Sequence, residues 1–399
     1  MFLDENEEEL MVRILIKNAN IITPYEIKRD SRLVIEGGKI ADIYEGLCEE
    51  DGFDQLIDAK GNYLSPGFID LHNHGNFGHD FMEASHEAFD IMADFHIKNG
   101  VTSFLATTIT QEPAAIRRAL KSIGEYIETG SKDSKTKAQM LGIYLEGPYF
   151  SVEKKGAQPE EHIKSPDIEE LKEFIELSKN NIKIVALAPE IDGAKEAIKF
   201  LKKEGITISA AHTNASYKEA KLGIDMGISQ ITHLYNGMRA FNHREPGIIG
   251  AALTDERVAC EIICDGIHLH VAAMDMAVKM KGKDGIILVS DAMMAAGLED
   301  GKYELGGQDV YVKDGVARLE DGTLGGSTLT LKKAVYNMVN LVGVPIEDAV
   351  RMASLNAAKA IGMDGIKGSI EIGKDADLIM FDEDINIIMA MVKGKLRDF

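Results

Sequence analysis

Eight short apolar runs alternate with amphipathic stretches through the middle of this chain, and that alternation restricts the fold more than any other feature. The runs cover residues 68–71, 103–106, 140–145, 183–188, 207–211, 231–234, 261–264 and 286–290. Each is strand-sized and nearly continuous in apolar character, as strands covered on both faces are, and the segments between them have helical periodicity. Alternating β and α units specify a parallel sheet, and eight of them permit closure into an α/β (β/α)8 TIM-type barrel. Helix punctuation agrees. Ser216 to Glu219 forms a capping-box pattern, Ser165-Pro166 predicts an N-cap with proline at the first helical position, and Gly100 and Gly205 follow apparent helix ends. The glycine-rich, alternating stretch 297–326 reads as a hairpin inserted after the eighth strand, placed to cover the rim.

The two ends of the chain have a different pattern. Alternating residues from Met11, a glycine turn at Gly37-Gly38, and two further strand-like runs at 376–382 and 387–394 predict one small β domain built from both termini. The expected division is a β-sandwich domain of 1–64 plus 369–399 and a barrel of 65–368. Residues 1–10 are strongly acidic and aperiodic, which reads as a solvated tail and makes Met11 an alternative start.

Charge and cysteine content exclude several function classes. The formal net charge is −21, so nucleic acid and anionic membrane surfaces are repelled, and an anionic substrate needs local cations. No apolar run approaches the roughly 20 residues that cross a bilayer, and no basic-then-apolar leader opens the chain, which predicts a soluble, cytoplasmic protein. The three cysteines, Cys48, Cys260 and Cys264, are odd in number and lie in apolar surroundings. They are expected to be small core residues and not a disulfide framework or a metal pair.

Chemistry-bearing residues collect at the carboxyl ends of the predicted strands, where a barrel gathers its active site. His72 and His74 are two apart, so both imidazoles project to one side. Glu146 ends the third run, His212 the fifth, and His233 lies in the sixth. Together Glu146, His212 and His233 make a three-ligand site that leaves room for water, as a hydrolytic centre requires. Asp291 follows the eighth run and is the candidate general base, accepting a proton during attack by a metal-acidified water and returning it to a departing amine. The bland alternatives are satisfied core histidines, a structural ion pair at Glu146 and a helix cap at Asp291. Six other histidines, at 79, 86, 96, 162, 243 and 270, have no convergent placement. Gly325-Gly326-Ser327-Thr328 before a helix is weak evidence for an oxygen-binding turn.

The His-x-His after Pro66-Gly67-Phe68-Ile69-Asp70 resembles the first-strand signature of the amidohydrolase superfamily. More closely, the segments Leu145-Glu-Gly-Pro, Lys155-Gly-Ala-Gln, Ala211-His-Thr-Asn-Ala, Thr232-His-Leu-Tyr-Asn-Gly-Met, Arg244-Glu-Pro-Gly, Asp265-Gly-Ile-His and Val289-Ser-Asp-Ala resemble the N-acetylglucosamine-6-phosphate deacetylase family. The resemblance implies removal of acetate from a phosphorylated amino sugar, in amino-sugar catabolism or cell-wall recycling. It implies that Glu146, His212 and His233 hold the principal divalent metal and that Asp291 is the acid-base residue. Ala157, Asn236, Gly237, Arg244, His268, Leu324, Gly325 and Gly326 match family positions that touch the phosphosugar, with Arg244 at the phosphate. A homodimer is implied as well, in which Arg244 acts either within its own subunit or across to the other.

Two departures stand out. Both histidines of the His-x-His are present, as in members with a second ion, so one or two ions of zinc, iron, cobalt or manganese are expected. Gln158 stands where some relatives place a histidine that polarises the acetyl carbonyl. Two rival readings are a cyclic amidase and a silent phosphosugar-binding barrel. The cyclic amidase wants a carboxylated lysine on the fourth strand, but the lysine there, Lys183, lies at the strand's beginning. The silent barrel sits poorly with an intact ligand set.

Overall fold

The computed structural model describes residues 12–46, 50–130 and 136–397. The acidic segment 1–10, the alternative start at Met11 and Cys48 lie outside the described residues. The eight apolar runs form eight parallel strands: β1 (Phe68–Asp70), β2 (Val101–Thr107), β3 (Gln139–Glu146), β4 (Ile182–Leu187), β5 (Thr207–Ala210), β6 (Gln230–Ile231), β7 (Ala259–Ile263) and β8 (Ile286–Val289). They hydrogen-bond in chain order from β1 to β8. One large apolar core fills the space between these strands and the helices around them.

The seam between β8 and β1 is closed by a side chain. Buried Asp70 accepts from the Ser290 hydroxyl at 2.6 Å and from its backbone N–H at 3.2 Å. Just beyond, Asp291 N–H donates to His72 O and His74 N–H to Ala292 O, each at 2.8 Å. Closure of the barrel therefore brings the His-x-His against Asp291.

Three expectations change in detail. The sixth strand is only Gln230–Ile231, because the chain turns at once through His233 (φ 30°) and Tyr235 (φ 78°). That turn, not a continuing strand, aims the His233 imidazole inward. The helix Ile168–Leu177 is capped by Asp167, whose carboxylate accepts from Glu170 N–H, so Ser165-Pro166 precedes the cap. The insertion after β8 is a three-stranded meander, Gly301–Leu305, Gln308–Lys313 and Val316–Leu319, and not a two-stranded hairpin. The third strand adds Ala317 to a small core shared with Ile109, Met293 and Ala295, which docks the meander on the rim. The capping box at Ser216 and Glu219 forms as expected, and Gly100 and Gly205 follow their helices with φ of 79° and 72°.

Strands from the two ends, among them Arg13–Ile22, Ile27–Glu36, Tyr63–Pro66, Leu378–Phe381 and Ile387–Val392, join in one mixed eight-stranded sheet. Ile14, Ile16, Leu33, Ile35, Leu378 and Met391 share its separate core. The sheet curls until the Gly37-Gly38 turn meets the Lys393-Gly394 turn. There a Cβ at Gly38 (φ 75°) would come within 2.6 Å of Lys393 O. Cys260 and Cys264 are buried in the barrel and unbonded.

Candidate metal centre and active cavity

Five of the predicted ligands meet at the carboxyl end of the barrel. The Nε2 atoms of His212 and His233 are 3.3 Å apart, and they lie 3.3 and 3.2 Å from Glu146 Oε1. Each Nδ1 faces a backbone carbonyl, Lys154 O at 2.9 Å for His212 and Asn236 O at 3.1 Å for His233. A carbonyl only accepts, so each Nδ1 carries the hydrogen, and in the neutral form that a metal ligand takes each ring turns a lone pair on Nε2 toward the other and toward Glu146. Three acceptors at such separations repel one another unless a cation lies among them. Tetrahedral ligands on zinc, with bonds of about 2.1 Å, stand about 3.4 Å apart, so the spacing suits one divalent ion.

A second group shares the same carboxylate. His74 Nε2 is 3.3 Å from Glu146 Oε2 and 3.3 Å from Asp291 Oδ1, while His72 Nε2 is 3.7 Å from Glu146 Oε1 and 3.4 Å from Asp291 Oδ1. His72, His74 and Glu146 thus form a further set of candidate ligand atoms within 4.8 Å of one another. His72 Nε2 is buried with no hydrogen-bond partner among the described residues, which fits an atom meant for a cation.

The backbone is strained where the chemistry sits. His212 (φ 42°), His233 (φ 30°) and Asp291 (φ 49°) all occupy the left-handed region, which costs a non-glycine residue about 1–3 kcal/mol and persists only under surrounding constraint. Gly237 (φ 59°) supplies part of that constraint, because a Cβ there would lie 2.8 Å from His212 Nδ1.

Electrostatics follow from three carboxylates and four imidazoles packed out of water. Burial opposes a charged His72, but Glu261, Asp291 and Glu146 outweigh it and raise its pKa to about 9. His74 rises to about 10, with Asp291 and Glu146 overcoming the same burial penalty. Burial pushes the carboxyl groups the other way, yet the imidazoles hold Glu146 well below its ordinary range and Asp291 down to about 2. Both acids are therefore anionic at neutral pH.

A cavity of about 190 Å³ opens over these groups, lined by His74, Glu146, His212, His233 and Asp291. Residues 63–397 match the model of the Amidohydrolase family. The chain is 40% identical to N-acetylglucosamine-6-phosphate deacetylase of Bacillus subtilis (strain 168), over 96% of each chain. The chain belongs to this deacetylase family of amidohydrolases. It is also 41% identical to N-acetylgalactosamine-6-phosphate deacetylase of Escherichia coli O157:H7, over 86% of this chain and 90% of that one. Among solved structures, N-acetylglucosamine-6-phosphate deacetylase from Pasteurella multocida superposes with a TM-score of 0.91 at 36% identity, covering 97% of this chain and 100% of the other. A mutant of the Mycobacterium smegmatis deacetylase in complex with N-acetyl-D-glucosamine 6-phosphate gives 0.90 at 30% identity, covering 96% and 99%.

In this amidohydrolase, Ala157, Asn236, Gly237, His268, Leu324 and Gly326 line the cavity, with Leu305 and Thr323 of the inserted segment beside them. Gly325 is not among the lining residues, and its N–H is spent on Ala317 O at 3.2 Å. Arg244 is a second exception among the predicted contacts. It sits in an exposed turn outside its own cavity and has no side-chain partner among the described residues. Asn242 holds that turn by accepting from Arg244 N–H at 2.9 Å, which leaves the guanidinium projecting from the surface. Lys183 lines a cavity formed by the strand beginnings, at the opposite end of the barrel from the ligands.

Three residues with roles here escaped sequence reasoning. Glu261, fully buried on β7, accepts from His72 Nδ1 at 2.9 Å. Gln230 donates to the other oxygen of Glu261 at 2.6 Å. His96, read as bland, donates from Nε2 to Asn73 Oδ1 at 3.1 Å, directly behind the His-x-His. The one available signal was a glutamate inside an otherwise apolar strand, Cys260-Glu-Ile-Ile-Cys264.

Proposed function

We propose that this chain hydrolyses the acetamide of N-acetyl-D-glucosamine 6-phosphate to D-glucosamine 6-phosphate and acetate. The observation that carries this reading is the convergence of Glu146, His212 and His233 at 3.2–3.3 Å, with the anionic Asp291 on the same wall of the cavity. Glu146, His212 and His233 would hold the principal divalent ion, and His72 and His74 with Glu146 a second. When bound, such an ion acidifies a water and polarises the amide carbonyl. Asp291 takes a proton from the attacking water as the C–O bond forms. It then delivers that proton to the amine nitrogen as the C–N bond breaks, so acetate and a free amine leave in balance.

Around this centre, Gly237 presents its backbone N–H to the phosphosugar, while Asn236 spends its own N–H and side-chain amide on His233 O and Leu234 O and turns its side-chain oxygen to a sugar hydroxyl. His268 donates from Nδ1 to Asp265 Oδ2 at 2.6 Å, which leaves Nε2 as its atom for the substrate. Because Arg244 projects outward, its guanidinium meets the phosphate of a second copy's substrate, in a homodimer. Such an exposed cation offsets the −21 field locally. A phosphorylated product places the reaction in cytoplasmic amino-sugar metabolism. Among the described residues, no helix is long and apolar enough to cross a membrane.

Acetate release from N-acetylglucosamine 6-phosphate by metal-loaded protein tests the proposal, with the galactosamine epimer run in parallel because one 41% identical relative bears that name. No acetate from either sugar, together with an Asp291→Asn variant that behaves as the parent does, refutes it.

A further inference from the structure

Beneath the metal centre, the barrel interior holds a glutamate that the reaction does not touch. Glu261 is fully buried, and its only ion-pair partner among the described residues is His72. A buried carboxylate costs several kcal/mol unless its oxygens are satisfied. Here three donors satisfy them: His72 Nδ1–H at 2.9 Å and His233 N–H at 3.2 Å on Oε2, and Gln230 Nε2–H at 2.6 Å on Oε1. A carboxylate accepts only, so His72 carries its hydrogen on Nδ1 and presents Nε2 to Glu146 and Asp291.

We propose that Glu261 is the positioning residue that makes His72 a metal ligand, and that Gln230, Glu261 and His72 form a relay that sets this chain's affinity for a second divalent ion at His72, His74 and Glu146. The inference deepens the metal-site part of the function proposed above. Its physical basis is charge as well as direction. Glu261, Glu146 and Asp291 put three carboxylates around the imidazoles, and one divalent ion neutralises only two of them. A carboxylate behind an imidazole also raises the basicity of its ligating nitrogen. The principal site lacks such a carboxylate, since His212 and His233 donate to carbonyls. Glu261 therefore acts selectively on the second ion.

The neighbourhood also supplies a clean variant. Gln230 Oε1 is buried with no hydrogen-bond partner among the described residues. In Glu261→Gln the new amide donates to that oxygen after the Gln230 amide turns over, while its carbonyl still accepts from His72 and His233. The hydrogen-bond geometry survives and only the charge is lost. A second variant, Gln230→Met, removes the donor that holds Glu261 and touches no ligand.

The test is equilibrium dialysis of the chelator-stripped full chain against zinc, with metal counted per chain. Wild type is expected to take up two ions. Glu261→Gln is expected to keep the first unchanged and weaken the second by about 10–100-fold, with Gln230→Met shifting the same ion in the same direction by less. A Co2+ absorption spectrum of each variant reports the second site independently of turnover. The inference is overturned if wild type binds a single ion, or if both variants bind two ions as wild type does. Acetate release is scored separately. A chain that shows this binding pattern and releases no acetate sinks the deacetylase reading and leaves the relay standing.

Discussion

Gln158 donates its side-chain N–H to Glu146 Oε2 at 2.9 Å, while its own Oε1 accepts from Thr110 N–H at 2.9 Å. Both ends of the amide are engaged, so Gln158 is a clamp on the shared carboxylate. Replacing it with alanine frees Glu146 to rotate away from the imidazoles. Zinc affinity should fall about 10–100-fold, as loss of an outer partner of a ligand does, and dialysis against zinc measures it. Affinity equal to wild type would show that the ligands alone orient Glu146.

Asp291 contacts two imidazoles, His72 at 3.4 Å and His74 at 3.3 Å, and in the proposed reaction it moves a proton. Asp291→Asn should lower kcat for acetate release by about 10²–10⁴-fold, the range for loss of a positioned acid-base group. Metal content should stay near that of the parent, because Glu146, His212 and His233 are untouched. A variant that retained full kcat would remove Asp291 from the chemistry.

Metal loading should release protons. His72 and His74, raised to about 9 and about 10 by the neighbouring carboxylates against the pull of burial, are protonated at pH 7.5 in stripped protein. A ligand nitrogen must be neutral, so the second ion displaces protons, and its apparent affinity rises with pH until the imidazoles titrate at about 9 to 10. Calorimetry of zinc binding in two buffers of different ionisation heat counts them. At least one proton per chain is expected at pH 7.5, falling toward zero above pH 10.

His96 should make the stripped protein sensitive to acid. Burial alone depresses its pKa to about 3, from an ordinary value of 6.5. The unfolded chain binds this proton below pH 6.5 and the folded chain does not. Stability is thus complete above pH 6.5 and declines on acidification until about pH 3. The loss between pH 6.5 and 5 is about 2 kcal/mol. His96→Gln keeps a donor for Asn73 and cannot titrate, so urea midpoints at pH 7 and 5 should converge in that variant. Equal slopes in both proteins would contradict the assignment.

Gly237 supports His212 by lacking a side chain. Gly237→Ala places a Cβ 2.8 Å from His212 Nδ1, at a φ of 59° that alanine disfavours. Displacing the ring breaks the bond from Nδ1 to Lys154 O. A loss of about 1–3 kcal/mol is expected from the backbone alone, with weaker binding of the principal ion besides. Thermal melts and metal counts on the purified variant read the two effects separately.

Local sequence determined the eight-strand alternation and the residues at the strand ends. Periodicity and polarity act over a few neighbours, so His72, His74, Glu146, His212, His233 and Asp291 could be named from the runs they terminate. The same locality hid what depends on closure of the barrel. Glu261 meets His72 across 189 residues, and Ser290 meets Asp70 across 220. No local pattern encodes those pairings. It read the inserted meander as a hairpin and extended the sixth strand past His233, because a turn chosen to aim an imidazole looks like strand in composition. Arg244 shows the reverse case: a resemblance placed it at a phosphate and left its subunit open, and the tertiary structure puts it in an exposed turn that does not line its own cavity. Which side chains end a strand is a property of the chain. Which of them share an ion, an acid or a neighbouring glutamate is decided by the packing that closes the ring.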